Sequence, residues 1–187
     1  IGSYLCRDIY NLVTQSQFGA YNLKFTVYDD DEVDLKNIKY QNYEDVDIGD
    51  YKAEIMGDRY GFDFKIERIK TENTLNYYDI IIAAVDNTKF RTLLYNWANN
   101  NPDKYWIDLR SEGRSIVYYT KHSENKLEFL LSTLADTPEE GTSCQLAYEL
   151  NSGKIQQGNK IIATIGSQLL LNYLRGDNNS KKFIGRF

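Results

Sequence analysis

Residues 79–91 read DIIIAAVDNTKFR. The first seven form an almost wholly apolar run of strand length, the pattern of a parallel strand buried on both faces. The run stops at Asp86 and Asn87. Phe90, Leu93, Leu94 and Trp97 then repeat at helical spacing over residues 88–99. Strand, polar turn and helix follow one another with no linker. Asp86 and Asn87 stand where a helix needs an N-cap. They also stand where α/β sheets bind ligands, outside the carboxyl ends of the strands. Both readings are open at this point.

Working outward, the alternation repeats. LKFTVY (23–28) reads as a strand that runs into the acidic DDDE (29–32). A polar connection reaches Asp50, and a short helix follows with Ala53, Met56 and Tyr60 roughly on one face. FDFKIERI (62–69), KYWIDL (104–109) and RSIVYYT (114–120) read as strands. SENKLEFLLSTL (123–134) and KIIATIGSQLLLNYL (160–174) read as helices, the second closed by Gly176. Residues 4–17 carry Leu5, Ile9, Leu12 and Val13 at helical spacing, with Gly19 as a stop signal. Such alternation predicts an α/β fold with a Rossmann-like, mainly parallel sheet and helices on both faces. Asp29, Asp86 and Asp108 each fall at or near the end of a predicted strand. Three acids at three strand tips exceed what helix capping requires.

The sequence opens on a helix with no strand before it. Ile1-Gly2-Ser3 has the form of the last part of a Gly-rich turn entering a helix, which predicts a first strand and the first glycines upstream. The basic, apolar tail SKKFIGRF (180–187) fits either a final strand or a docking segment.

Composition sets the outer limits. The 187 residues are 42% hydrophobic and 26% charged, as in an ordinary globular domain. The net charge of −5 argues against a broad nucleic-acid interface. No apolar run reaches the ~18 residues of a membrane span, so no membrane partner is expected. Two cysteines, Cys6 and Cys144, make no disulfide scaffold, and a reducing cytoplasm fits best. Cys6 reads as core, the single histidine His122 as solvated, and Glu44, Asp45 and Asp47 as a solvated loop. Arg91 reads as pairing with an acid on its own helix or lying over a pocket rim.

Taken in order, these stretches resemble the ThiF/MoeB family of adenylating enzymes, whose fold ubiquitin-activating enzymes share. Gly2 and Ser3 match the family's helix start. VYDDDEVDLKNIKYQ (27–41) matches its strand, acid and Asn-x-x-Arg-Gln. IGDYKAE (48–54) matches Gly-x-x-Lys-(Ala/Val)-Glu, and AAVDNTKFR (83–91) matches Asp-Asn-x-x-x-Arg. WIDLR (106–110) is similar to the strand that follows. The resemblance spans about residues 1–175 and implies a single ThiF-like nucleotide-binding domain over 1–187, its N-terminal strand and the start of its Gly-rich loop lying upstream.

That resemblance assigns roles. Asp29 would bind the ribose hydroxyls of ATP. Asn37, Gln41 and Asn87 would line the nucleotide pocket, with Gly2 and Ser3 at the phosphates. Lys52 would hold the phosphates, and Asp86 would hold Mg²⁺. Where the family has its pocket arginine this sequence has Tyr40, with Lys39 beside it as the substitute cation. The family's Cys-x-x-Cys zinc pairs are absent. Cys144, after TPEEGTS, is the candidate nucleophile toward an acyl-adenylate. The implied function is ATP-dependent adenylylation of the C-terminal carboxylate of a ubiquitin-like or sulfur-carrier protein, by a homodimer. Two alternatives stay open. One is a catalytically degenerate relative that binds nucleotide or a partner protein. The other is an NAD-dependent oxidoreductase, since an acid after the second strand also suits an NAD ribose.

Overall fold

The computed structural model describes residues 1–15, 17–18, 21–112, 115–122, 157–177 and 181–186. Helix α1 (Gly2–Thr14) leads into strand β1 (Thr26–Tyr28), the short helix α2 (Leu35–Ile38) and a 3₁₀ turn at Asp45–Asp47. Helix α3 (Lys52–Tyr60), strand β2 (Asp63–Lys65), helix α4 (Glu72–Leu75) and strand β3 (Ile80–Ala83) follow. Helix α5 (Thr88–Asn100), strands β4 (Tyr105–Glu112) and β5 (Ser115–Thr120), helix α6 (Gly158–Arg175) and strand β6 (Lys182–Arg186) complete the described order. The predicted helix 123–134 lies outside the described residues.

The expected α/β architecture is present. β1 pairs with β2 in parallel, and β3 pairs with β4 in parallel from Ile80–Tyr105 to Ala83–Asp108. Beyond β4 the pairing turns antiparallel: β5 lies against β4, and β6 against β5. The tail therefore supplies a final strand. The parallel strands carry the tips at which a ligand would sit.

Period-2 alternation sorts β4 between two cores. Tyr105, Ile107 and Leu109 pack with Ile1, with Leu5 and Ile9 of α1 and with Ile162, Leu169 and Leu170 of α6. Trp106 packs on the other side with Ile81, Leu94, Trp97 and Tyr119, under α5. A third cluster, Cys6, Val33, Tyr43 and Met56, joins α1 and α3. Helix α3 approaches β2 closely because residue 57 is glycine. A Cβ there would collide with the Phe64 ring. Gly61 ends α3 in the left-handed region, at φ 68°. No helix among the described residues is long and apolar enough to cross a membrane.

Candidate active site

At the end of β1 the Asp29 N–H donates to the Lys65 carbonyl (3.3 Å), and the Asp31 N–H donates to Asp29 Oδ1 (2.9 Å). This turn folds the run of acids back on itself. One oxygen from each of Asp29, Asp30 and Asp31 lies within 4.8 Å of the others. Two cations answer that charge. Lys52 Nζ sits 2.9 Å from Asp31 Oδ2, and Arg68 reaches Asp30 (2.5 Å) and Asp31 (3.0 Å). Lys52 is aimed by backbone: its N–H donates to the Asp31 carbonyl, and Glu32 and Tyr51 form a bridge beside it. Burial holds the Asp29 carboxyl above the usual aspartate range, and Asp31 and Asp30 add to that, against the Asp31 N–H and Lys52. Burial pushes Asp31 up too, but hydrogen bonds and charge from Lys52 and Arg68 leave it below the usual range. Arg68, read from sequence as an ordinary strand residue, is thus part of this corner.

The next stretch is held by its own side chains. Asp34 caps α2, and Asn37 Oδ1 accepts the Asp34 N–H (2.9 Å) in a capping box. Asn37 is buried, and its amide donates to the Tyr40 hydroxyl (3.3 Å). Tyr40 is 5% exposed, so its ring fills protein interior at the position of the family arginine. Lys39 is exposed and Gln41 half-buried. Ser3 is buried, and its hydroxyl accepts the Asn42 N–H (2.9 Å), tying this loop to the start of α1. A Cβ on Gly2 would meet nothing within 4 Å, so protein packing does not demand glycine there. The expectation of a solvated loop holds for Glu44 and Asp45 but not for Asp47. Asp47 is buried, because Arg59 grips both its oxygens at 2.8 and 2.7 Å.

At the tip of β3 the two residues that opened the analysis divide the work. Asn87 caps α5, its Oδ1 accepting the Phe90 N–H at 2.7 Å. Asp86 takes no part in the cap. It is exposed, and its carboxylate has no hydrogen bond or ion pair among the described residues. Arg91 neither pairs on its own helix nor lies at a rim. Its side chain is 7% exposed, Nη2 donates to the Val85 carbonyl (2.6 Å), and Nε lies 3.4 Å from Asp108 Oδ1. Asp108 is not at a strand tip. It is fully buried within β4, and Arg110 Nε meets its other oxygen at 2.5 Å. Arg110 in turn lies over the Tyr119 ring, 4.9 Å from its centroid.

Two cavities adjoin these corners. One of about 430 Å³ is lined by Asp30, Arg68 and the loop from Ile66 to Thr71. The other, about 550 Å³, is lined by Lys70, Thr71, Lys89 and Thr92 among others. They share Lys70 and Thr71 and so run from the acidic corner toward the first turn of α5. Neither is lined by Asp29, Lys52 or Asp86 themselves. Cys144 lies outside the described residues. Cys6 is buried, and burial pushes its thiol up to about 12, which suits packing and not nucleophilic attack.

The fit to ATP and Mg²⁺ can be judged on this geometry. Mg²⁺ takes one or two carboxylates plus phosphate oxygens, and Asp86 offers one uncommitted carboxylate on a fixed strand tip. Lys52 supplies a cation 2.9 Å from Asp31, whose carboxylate lies within 4.8 Å of that of Asp29, the acid assigned to ribose, and a Cβ on Gly2 would meet nothing within 4 Å. The residues fit the group.

The chain is similar in fold to several solved proteins. PaaA superposes with a TM-score of 0.61 at 18% identity, covering 96% of this chain and 65% of that one. E. coli MccB, solved with succinimide, superposes with a TM-score of 0.66 at 11% identity, covering 100% and 57%. MccB solved with ATP gives a TM-score of 0.55 at 12% identity, covering 87% and 56%. This chain therefore spans about three-fifths of the length of these relatives. No curated protein matches the sequence. The profile of the ThiF family matches residues 17–187, and with that match across nearly the whole chain, over the fold and strand tips just described, the protein belongs to the ThiF family.

Proposed function

We propose that this chain is the nucleotide-binding and adenylating part of an ATP-dependent adenylyltransferase. Its acceptor is the C-terminal carboxylate of a ubiquitin-like or sulfur-carrier protein. The observation that carries the proposal is the pairing of functions at two strand tips: the half-buried Asp29 in a cluster with Asp31, which Lys52 meets, and an exposed acid, Asp86, left over by its own helix cap. MccB, a relative in fold, has been solved with ATP and, separately, with AMPCPP and MccA.

In this reaction a carboxylate oxygen attacks the α-phosphorus of ATP. A P–O bond forms, the bond to the β-phosphate breaks, and pyrophosphate leaves with the electron pair. The attacking carboxylate is already ionised, so no general base is required. Asp29 takes the ribose hydroxyls as acceptor. Lys52 moves from Asp31 to the phosphates. The first N–H groups of α1, at Gly2 and Ser3, add a partial positive charge. Asp86 would hold Mg²⁺, which when bound would supply positive charge to offset that of the leaving pyrophosphate. Asn37 and Asn87 serve through backbone capping that shapes the pocket, and Gln41 lines it. Lys39 supplies the charge of the family arginine as a point cation. Cys144 receives the acyl group in enzymes that proceed to a thioester, and the active unit is a homodimer, the commonest closed symmetry.

ATP–pyrophosphate exchange with candidate carriers tests this. Lys39→Ala should lower exchange roughly ten- to a hundredfold, the worth of a charge-assisted phosphate contact, and leave the fold unchanged. Tyr40→Ala should act through stability instead, since losing a buried aromatic costs about 3–5 kcal/mol. Absence of exchange with every carrier, together with retained ATP binding, would favour the degenerate nucleotide-binding relative. Reduction of a bound nicotinamide would favour the oxidoreductase.

A further inference from the structure

The ladder between β3 and β4 ends at Ala83–Asp108, while β4 continues to Glu112 against β5. Ala84, Val85 and Asp86 thus extend past the last rung, where a strand tip loses the neighbour that would fix it. The gap is taken by one side chain. Arg91, a turn into α5, donates from Nη2 to the Val85 carbonyl at 2.6 Å and lies 3.4 Å from Asp108 Oδ1 through Nε. Asp108 is itself 0% exposed and held on its other oxygen by Arg110. On the far side of Asp86, the Asn87 side chain closes onto the Phe90 N–H. The Val85–Asp86 peptide is therefore tied through its carbonyl and the next side chain is held in the cap, while the Asp86 carboxylate is exposed and uncommitted among the described residues. An ion pair this deep is expensive to desolvate and gives little net stability. A hydrophobic pair would fill the same space, but it would leave the Val85 carbonyl without its partner.

We propose that Arg91 is a positioning residue, and that with Asp108 it forms a clamp fixing the Val85–Asp86 peptide so that the Asp86 carboxylate meets metal and phosphate in one orientation. This rests on the reading of Asp86 as the Mg²⁺ ligand. A guanidinium suits the place because one nitrogen donates to the Val85 carbonyl while its delocalised charge lies 3.4 Å from the Asp108 carboxylate as an ion pair without a hydrogen bond. Lysine keeps the charge and serves only one of them.

The test uses the full chain with Arg91→Lys. Three quantities are read: melting temperature, hydrogen exchange at the amides of residues 90 and 91, both bonded to Asn87, and the Mn²⁺ concentration giving half-saturation with AMPCPP present, followed by the paramagnetic signal of free Mn²⁺. The variant should stay folded, exchange those amides about tenfold faster and need about tenfold more Mn²⁺. Leu94→Ala, from the fully buried face of the same helix, should lower the melting temperature and leave the Mn²⁺ requirement unchanged. A folded Arg91→Lys with unchanged amide exchange and Mn²⁺ requirement overturns the proposal, as does a Leu94→Ala that shifts the requirement equally. Should Arg91→Lys not fold, Asp108→Asn takes its place with the same expected directions. Failure of both to fold assigns the pair to stability and overturns the proposal. A wild type without pyrophosphate exchange counts against adenylation, whereas the amide exchange of Arg91→Lys still decides the clamp.

Discussion

The strand tips after β1 and β3 carry the two acids on which the proposed chemistry turns, and the protein treats them in opposite ways. At the first, three aspartates crowd within 4.8 Å, Lys52 and Arg68 neutralise two of them, and Asp29 is half-buried. At the second, Asp86 is exposed and its carboxylate is unpaired among the described residues, while the carbonyl before it is held by the buried Arg91. A ligand arriving at the first corner must exchange one set of ion pairs for another. At the second, no described residue holds the carboxylate it would meet. The difference teaches where binding energy is spent: the first corner selects by rearrangement, the second by preset geometry.

The comparison breaks most sharply at Asp86. Asp86→Asn should cut pyrophosphate exchange by roughly a hundredfold or more, because a metal's charge stabilisation in such sites is worth several kcal/mol. Its stability should change by no more than about 0.5 kcal/mol, as for other exposed sites. Since Asn87 and not Asp86 provides the cap, the loss cannot come through the helix. Full exchange activity in a folded mutant would remove Asp86 from the site.

Lys52 is the point where the crowded corner must yield. Lys52→Ala should lower exchange roughly ten- to a hundredfold, the range of a charge-assisted contact made mainly in the transition state. Arg68 stays to hold Asp31, so the melting temperature should move little. Asp31→Asn works the other way by releasing Lys52. An exposed ion pair is worth about 0–1 kcal/mol, so the KM for ATP should fall by up to about fivefold. A raised KM in Asp31→Asn would show that Asp31 holds the lysine in place for phosphate, and the contrast between rearranging and preset corners would go.

The unequal corners were also unequally legible. The strand, turn and helix of residues 79–99 could be read because the apolar period changes from strand to helix across two polar residues. Sequence could not say which of the two polar residues caps. Either type serves as an N-cap, and only the 2.7 Å bond from Phe90 to Asn87 decides it. Asp108 was misplaced at a strand tip because an acid that interrupts an apolar run looks like an edge. It lies inside the run because two guanidiniums, one from α5, meet it there. Asp47 was misread for the same reason, its partner Arg59 being a helix away. In both cases burial was set by a counter-charge distant in sequence. A signal was present: Asp108 and Arg110 alternate with Ile107 and Leu109, so the strand continues through them.

The smallest effect is the one that measures the crowding itself. Burial raises the carboxyl of Asp29 in the folded chain, with its neighbours Asp31 and Asp30 adding to the shift. An acid whose folded pKa is raised favours folding while protonated. That contribution is complete below the unfolded value, about 3.9, and is lost as pH rises through the folded value. Ionised Asp29 therefore costs stability at neutral pH. Asp29→Asn keeps an oxygen for the Asp31 N–H and removes the charge. Its melting temperature minus that of wild type should be flat below about pH 4, grow more positive as Asp29 ionises, and then level off. The opposite titration of Asp31, whose pKa is lowered on balance by Lys52 and Arg68 against its own burial, is common to both proteins and largely cancels in the difference. The same variant should bind ATP about two- to tenfold more weakly, the worth of the ribose hydrogen bonds. A difference that stays flat through neutral pH would mean that Asp29 is as well solvated as Asp86, and the two corners would no longer differ in kind.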